Sequence, residues 1–162
     1  MRGVICKLTE GTGYTNNYFN QHKNNAINAG LKFIGTYHLF HGDPVNEANY
    51  FLKNLQANNV DKNVLVIADI ENTSNSTLTT NKAELTRQIK QFYDVLIAAG
   101  YTNTCDYASS SWFTSRFDSQ GKYRWIANYS NNKPANADAW QFTSRWNGLM
   151  IDASYSYNPI FV

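Results

Sequence analysis

Two carboxylates one residue apart close the stretch VLVIADIEN, residues 64–72, directly after a continuous apolar run. Val64 to Ala68 reads as a strand covered on both faces. Residues two apart in an extended segment point the same way, so Asp69 and Glu71 share a face with Leu65 and Ile67. Like charges this close disfavour each other's ionised form, so the pair stabilises nothing by itself. It suits acid–base chemistry, although an ordinary loop start or a divalent-cation ligand pair would read the same way.

The elements that would position this pair alternate between short apolar strands and amphipathic helices. Strands are expected at 3–8, 32–40, 64–70 and 104–108, with helices at 16–30, 43–58, 81–100 and 110–117 following them in turn. Asp43 and Pro44 suit a helix start, and Gly30 and Gly100 suit helix stops. Three further strands, 123–129, 138–144 and 149–153, follow with only small loops between them. Repeated strand–helix units favour a parallel sheet, and seven strands in one domain of 162 residues favour an α/β barrel. An open α/β sheet is the rival, weakened by the lack of a Gly-rich phosphate loop after any strand.

In such a barrel the working residues sit at the C-terminal strand ends. Those ends carry Lys7 and Glu10, Tyr37 and His38, Asp69 and Glu71, then Tyr107, Tyr129, Trp140 with Gln141, and Asp152. Rings stack on sugar faces, polar tips fix hydroxyls, and a carboxyl pair handles a glycosidic oxygen, so the set suits carbohydrate. Crowding by neighbouring acids on an apolar strand raises a carboxyl pKa in the direction a general acid needs. His38 lacks a nucleophile motif nearby and reads as a hydrogen-bonded structural histidine. Trp125 reads as barrel core, and Trp140 is open between core and ligand contact.

Composition narrows the class. Hydrophobic residues make up 43% and charged ones 16%, as in a folded domain, and the net charge of +2 comes without a basic cluster, so no nucleic-acid partner is expected. No stretch reads as a transmembrane span or a signal peptide, so neither membrane insertion nor export through this chain's own leader is expected. Cys6 and Cys105 sit in apolar segments and read as buried free thiols, and His22 and His41 have no metal-ligand spacing. No cofactor and no metal are implied.

The segments VICKLTEGTGYTNNYF, GLKFIGTYHLF, NEANYFL, VLVIADIEN, WIANY and DAWQFTS, with the late Asp152, resemble in order those of glycoside hydrolase family 25. These are lysozymes of the phage-endolysin and bacterial-autolysin kind, and the resemblance covers almost the whole chain. It implies an irregular, TIM-like (β/α) barrel, residues 1–162 forming one catalytic domain. The implied reaction is cleavage of the β-1,4 bond between N-acetylmuramic acid and N-acetylglucosamine in peptidoglycan. Position by position, Glu71 matches the general acid, Asp69 its companion carboxylate and Asp152 the acid after the last strands. Tyr37, Tyr107 and Trp140 match groove-lining positions.

Family members begin with a strand bearing a Gly-x-Asp-x-Ser motif, whereas this chain starts just before the second strand. The expectation is therefore a barrel lacking its first strand, with an uncovered edge open to self-association. The partner implied is the bacterial glycan strand, met at the wall from outside the cell or after lysis. A sugar-binding module without turnover, or a chitin-type glycosidase, is the alternative reading.

Overall fold

The computed structural model describes residues 2–162. Strand β1 (Gly3–Glu10) is followed by a two-residue strand β2 (Tyr14–Thr15) and helix α1 (Phe19–Asn28). Then come β3 (Lys32–Leu39), α2 (Pro44–Ala57), β4 (Leu65–Asp69), α3 (Lys82–Ala98), β5 (Thr104–Ser109) and α4 (Ser110–Ser115). Strands β6 (Tyr123–Ala127), β7 (Ala139–Thr143) and β8 (Ala153–Ser156) and a 3-10 turn (Pro159–Phe161) complete the chain. The expected helices recur with trimmed ends, and Gly30 and Gly100 end α1 and α3 at φ +80° and +93°, where a glycine is unstrained.

The strands form one curled sheet in the order β2-β1-β3-β4-β5-β6-β7-β8, parallel from β1 to β7 and antiparallel at both ends. The fold is barrel-like α/β, yet among the described residues the sheet stays open: β2 and β8 are its edges and do not pair with each other. At the first edge, β2 covers only Thr9 and Glu10. Just before them, the Lys7 carbonyl accepts from Asn16 Nδ2 at 2.9 Å and the Leu8 carbonyl from the Asn16 amide at 2.8 Å. A local segment thus satisfies the upper half of this edge.

The final strand departs from the expected 149–153. Asn147 and Gly148 adopt φ +50° and +79°, the geometry of a tight hairpin turn, and Trp146 and Leu149 exchange both backbone hydrogen bonds across it. That hairpin consumes Leu149, so pairing with β7 begins only at Ala153.

Alternation along each strand divides the core in two. The convex face, with Leu8, Val66, Ala68 and Ile70, packs on Phe51 and Leu55 of α2 and on Leu85, Ile89, Phe92 and Leu96 of α3. The concave face holds Ile34, Leu65, Ile67, Cys105 and Ala139, with Phe161 of the terminal turn closing its base. Between sheet and helices lies a polar network around His38, which is the hydrogen-bonded structural histidine expected, with partners the sequence did not indicate. Glu47 of α2, fully buried, accepts from His38 Nε2 at 2.6 Å and from the backbone amides of His41 at 2.8 Å and Asp43 at 2.7 Å. Burial pushes His38 towards its neutral form, and its Nδ1 faces Thr9 Oγ1 at 2.8 Å. Asp43 does not cap α2 with its own side chain as expected. Glu47, one turn in, reaches back instead and accepts from the amide of Asp43 itself and from that of His41, just ahead of the helix.

Gly35 allows β3 and β4 to approach: a Cβ there would stand 2.5 Å from the Leu65 carbonyl oxygen and 2.7 Å from its Cβ. Because the nearest obstacle is backbone, Gly35→Ala must push the strands apart. Overpacking of this kind costs about 1–3 kcal/mol, and each kcal/mol is worth roughly 2–4 °C at this chain length. Thermal melting followed by circular dichroism should show a Tm lower by several degrees, and an unchanged Tm would refute the close-approach account.

Candidate active site

A cavity of about 120 Å³ opens at the C-terminal end of the concave face, lined by Tyr37, Asp69, Glu71, Tyr107, Trp125, Gln141 and Asp152. Tyr37 comes from β3, and Asp69 is the last residue of β4, directly paired in register with Tyr107 of β5. Tyr107 is in turn opposite Trp125 of β6, and their rings lie 4.7 Å apart. Trp125 Nε1 donates to Ser154 Oγ of β8 at 3.0 Å, which fixes the indole in the cavity wall. Glu71 lies two residues past the end of β4, where the strand parity still aims it at the same opening. Asp152 arrives from the loop before β8.

The site removes charge from water. Asp69 is only 8% exposed, and its Oδ1 is buried without a hydrogen-bond partner, as is Oε1 of Gln141. Burial pushes the Asp69 carboxyl well above the usual range, and the negative charge of Glu71 pushes it further. Burial, then the charge of Asp152, raises Glu71, and burial raises Asp152. The phenols of Tyr37 and Tyr107 are driven up by burial and by Asp69, so they remain hydrogen-bond donors throughout the working pH range. Lys7 opposes this trend. Its positive charge lowers both Asp69 and Glu71, and its Nζ is held by Glu10 Oε2 at 2.6 Å. His41 Nε2 stands 3.2 Å from the other oxygen of Glu10.

Of the residues singled out from sequence, Tyr37, Asp69, Glu71, Tyr107, Gln141 and Asp152 come together here. Tyr129 stands at the rim, 61% exposed, its hydroxyl accepting from Gln141 Nε2 at 3.2 Å. Trp140 does not line the cavity. It is adjacent to Gln141 in β7, so pleating turns it to the convex side, where its Nε1 donates to the Asn128 carbonyl at 2.6 Å and its ring packs on Ile126 and Ala137. Trp125, expected as core, takes the cavity position instead. Counting parity from Tyr107 through the sheet register would have found it.

Paired and desolvated carboxyls beside aromatic faces form the kind of site that works on glycosidic bonds. The family model "Glycosyl hydrolases family 25" matches residues 1–148. The chain belongs to that family and is a glycoside hydrolase. Its fold is similar to the muramidase of Trichobolus zukalii, at 23% identity and TM-score 0.79, over 97% of this chain and 83% of that one. It is similar to a family 25 glycosyl hydrolase from Bacillus anthracis, at 21% identity and TM-score 0.79, over 98% of this chain and 79% of that one. The GH25 lysozyme of Aspergillus fumigatus aligns at 22% identity and TM-score 0.78, over 98% and 83% of the two chains. No curated protein sequence matches the chain. Asp152 lies beyond the family-matched stretch, and geometry alone brings it to the cavity.

A raised carboxyl pKa has a stability consequence of definite sign. The folded state binds the proton of Asp69 more tightly than the unfolded chain does, so this residue's contribution is greatest in acid and is lost as pH rises through its folded pKa. Asp69→Asn should therefore raise Tm at neutral pH, with the gain shrinking as the pH is lowered towards 4. A neutral-pH Tm equal to or below the parent's would show that the carboxyl is not held against its own ionisation.

Proposed function

We propose that this glycoside hydrolase is a muramidase of the bacterial cell wall, cleaving the β-1,4 bond between N-acetylmuramic acid and N-acetylglucosamine in peptidoglycan. The observation that carries this reading is the cavity itself. Asp69, Glu71 and Asp152, all with raised carboxyl pKa values, face one opening walled by Tyr37, Tyr107 and Trp125. The muramidase and lysozyme among the similar folds support the substrate class. On this reading the described residues form one catalytic domain, and the curled sheet, open between β2 and β8, is an incomplete barrel of irregular (β/α) design. Among the described residues no helix is long and apolar enough to cross a membrane. On the substrate reading, the place of action is the wall.

Glu71 is the general acid/base. It is exposed enough to reach a glycosidic oxygen, while burial and Asp152 favour its protonated form. In the first step its proton goes to the leaving oxygen as the glycosidic C–O bond breaks. In the second, water adds to the anomeric carbon and gives a proton back to Glu71. Asp69, beneath it, orients the substrate's acetamido group towards the anomeric carbon through hydrogen bonds, so that this group answers the positive charge developing at the sugar ring. Tyr37, Tyr107 and Gln141 hold the sugar, with Tyr129 at the rim. Trp125 supplies the ring face first assigned to Trp140.

Glu71→Gln keeps shape and hydrogen bonding but cannot deliver a carboxyl proton. Reducing-end release from purified peptidoglycan should fall about 10²–10⁴-fold, with an unchanged circular dichroism spectrum and retained glycan binding. Release near the parental rate would refute the assignment of Glu71. A parent that binds glycan but releases no ends would replace hydrolysis with binding, and preferential release from chitin oligomers would change the substrate. Lys7→Met removes the cation that holds Asp69 and Glu71 down. Both limbs of the pH–rate profile should therefore move to higher pH. A profile that stays in place would exclude Lys7 as their electrostatic partner.

A further inference from the structure

Of the three acids that line the concave cavity, Asp152 is the least anchored. Asp69 belongs to β4 and Glu71 follows it by two residues, whereas Asp152 is exposed on the loop before β8, next to the exposed Leu149, Met150 and Ile151. Gln141 is the opposite case. It is 1% exposed and sits at the centre of β7, paired with Ala127 of β6 and Ser154 of β8. Its backbone carbonyl also accepts from the Asn128 amide at 3.0 Å. Directly opposed residues of an antiparallel pair share a face, and so do residues two apart on one extended segment, which brings Gln141, Ser154 and Asp152 to the concave side. Gln141 and Asp152 accordingly line the same cavity.

The side-chain amide of Gln141 has a definite orientation. Its Nε2 donates to Tyr129 Oη at 3.2 Å, and the amide also hydrogen-bonds the Asp152 carboxylate, whose proton affinity it lowers. An NH2 group carries two donors, enough for both. Its Oε1 is buried without a protein partner and is the end left for the sugar. Turning the amide over would set that oxygen against a carboxylate, so the nitrogen end belongs towards Asp152. The consequence falls on Glu71. Burial and then the charge of Asp152 raise the Glu71 carboxyl, whereas burial alone raises Asp152, so Asp152 ionises first. The other titratable and charged groups facing the pair are Asp69 of β4, Lys7 of β1 and the phenols of Tyr37, Tyr107 and Tyr129. Lys7 acts on Asp69 and Glu71, and Gln141 on Asp152, so Gln141 is what sets Asp152 apart from Glu71.

We propose that Gln141 is a positioning residue of the hydrolytic site: its amide nitrogen, held between Tyr129 and Asp152, keeps Asp152 as the charged member of the Asp152–Glu71 pair, so that the proton stays on Glu71. The proposal rests on the reading of Glu71 as general acid/base. It gives the two ends of one side chain separate tasks, the oxygen facing the substrate and the nitrogen ordering the acids. Where two coupled carboxyls share a proton, such an ordering decides which of them can act as the acid.

The test is an NMR titration of the side-chain carboxyl carbons in the full chain, which follows Asp152 and Glu71 separately and needs no turnover. In the parent, Asp152 should ionise at lower pH than Glu71, and Asp152→Asn should lower the Glu71 midpoint. Gln141→Met removes the donor, and Gln141→Asn keeps an amide but draws it back by one carbon. Both should raise the Asp152 midpoint by about one pH unit, as expected for loss of a charge-assisted hydrogen bond. With Asp152→Asn already present, Gln141→Met should leave the Glu71 midpoint where it is, which a merely structural role would not. In reducing-end release, both Gln141 variants should move the acid limb of the pH–rate profile upward and lower its maximum, with the basic limb in place. An Asp152 midpoint that stays put, or that moves for Gln141→Met alone, would overturn the proposal. So would Glu71 ionising first in the parent, or a Glu71 midpoint that still follows Gln141 once Asp152 is an amide. Failure of the hydrolase reading is read separately, as absence of reducing-end release by a parent whose carboxyls titrate in the expected order.

Discussion

Asp69 is a carboxyl held out of water at the end of a strand buried on both sides, and the concave site is organised around that cost. All of Leu65 to Asp69 is buried, so β4 cannot move outward to hydrate its acid. Tyr107 and Leu39 flank Asp69 in the sheet register, and Ile67 lies beneath it. Desolvation that would destabilise an ordinary domain here pushes the carboxyl cluster towards its protonated forms. Lys7, anchored through Glu10 towards His41, limits the effect by placing one positive charge beside the acids.

This strained electrostatics depends on a stiff support on the other face. Phe51 of α2 and Phe92 of α3 pack against His38, at ring separations of 5.4 and 5.2 Å, and the Glu47 carboxylate ties the turn at His41 and Asp43 to β3. The Tyr93 hydroxyl, also from α3, donates to the Cys105 carbonyl at 2.7 Å and faces the Ala68 amide at 3.3 Å, joining β4 to β5 one residue below Asp69. The same two helices therefore bury the convex face and set the spacing of the strands whose ends meet at the cavity.

Much of this was legible from local pattern, because local physics produced it. The apolar run from Val64 to Ala68, of which Leu65 to Ala68 lie in β4, and the Leu85, Ile89, Phe92, Leu96 stripe of α3 have one physical solution each, and both elements formed where expected with trimmed ends. The convergence of Asp69, Glu71 and Asp152 needed the barrel-like topology as well, since Asp152 is distant in sequence. What failed was arithmetic between neighbours: Trp140 and Gln141 cannot both face a cleft from one strand, and the choice depends on register across β5, β6 and β7. The shift of β8 came from the Asn147–Gly148 turn, a local signal outweighed in the reading by the apolar residues Leu149 to Ile151, which are exposed. Glu47 was illegible for another reason. A glutamate in the first turn of a helix usually faces solvent, and only the packed helix–sheet interface turns it into a buried acceptor for three residues.

Strand β6 carries the consequence of pleating furthest. With no helix over it, each side of the strand lines a cavity: an indole fixed to Ser154 on the concave side, Arg124 and Ile126 on the convex side. Pleating makes these assignments interdependent. A one-residue slip of β6 would bring Arg124 into the acid cluster, where its charge would hold the carboxyls ionised, and would send Trp125 outward to the place of Ile126. The register of β6 is held from outside the strand, by Asp138 on the backbone of Arg124 and by the pairing of Tyr107 with Trp125. The short segment from Tyr123 to Ala127 is therefore as much a condition of the raised carboxyl pKa values as the apolar run that leads to Asp69.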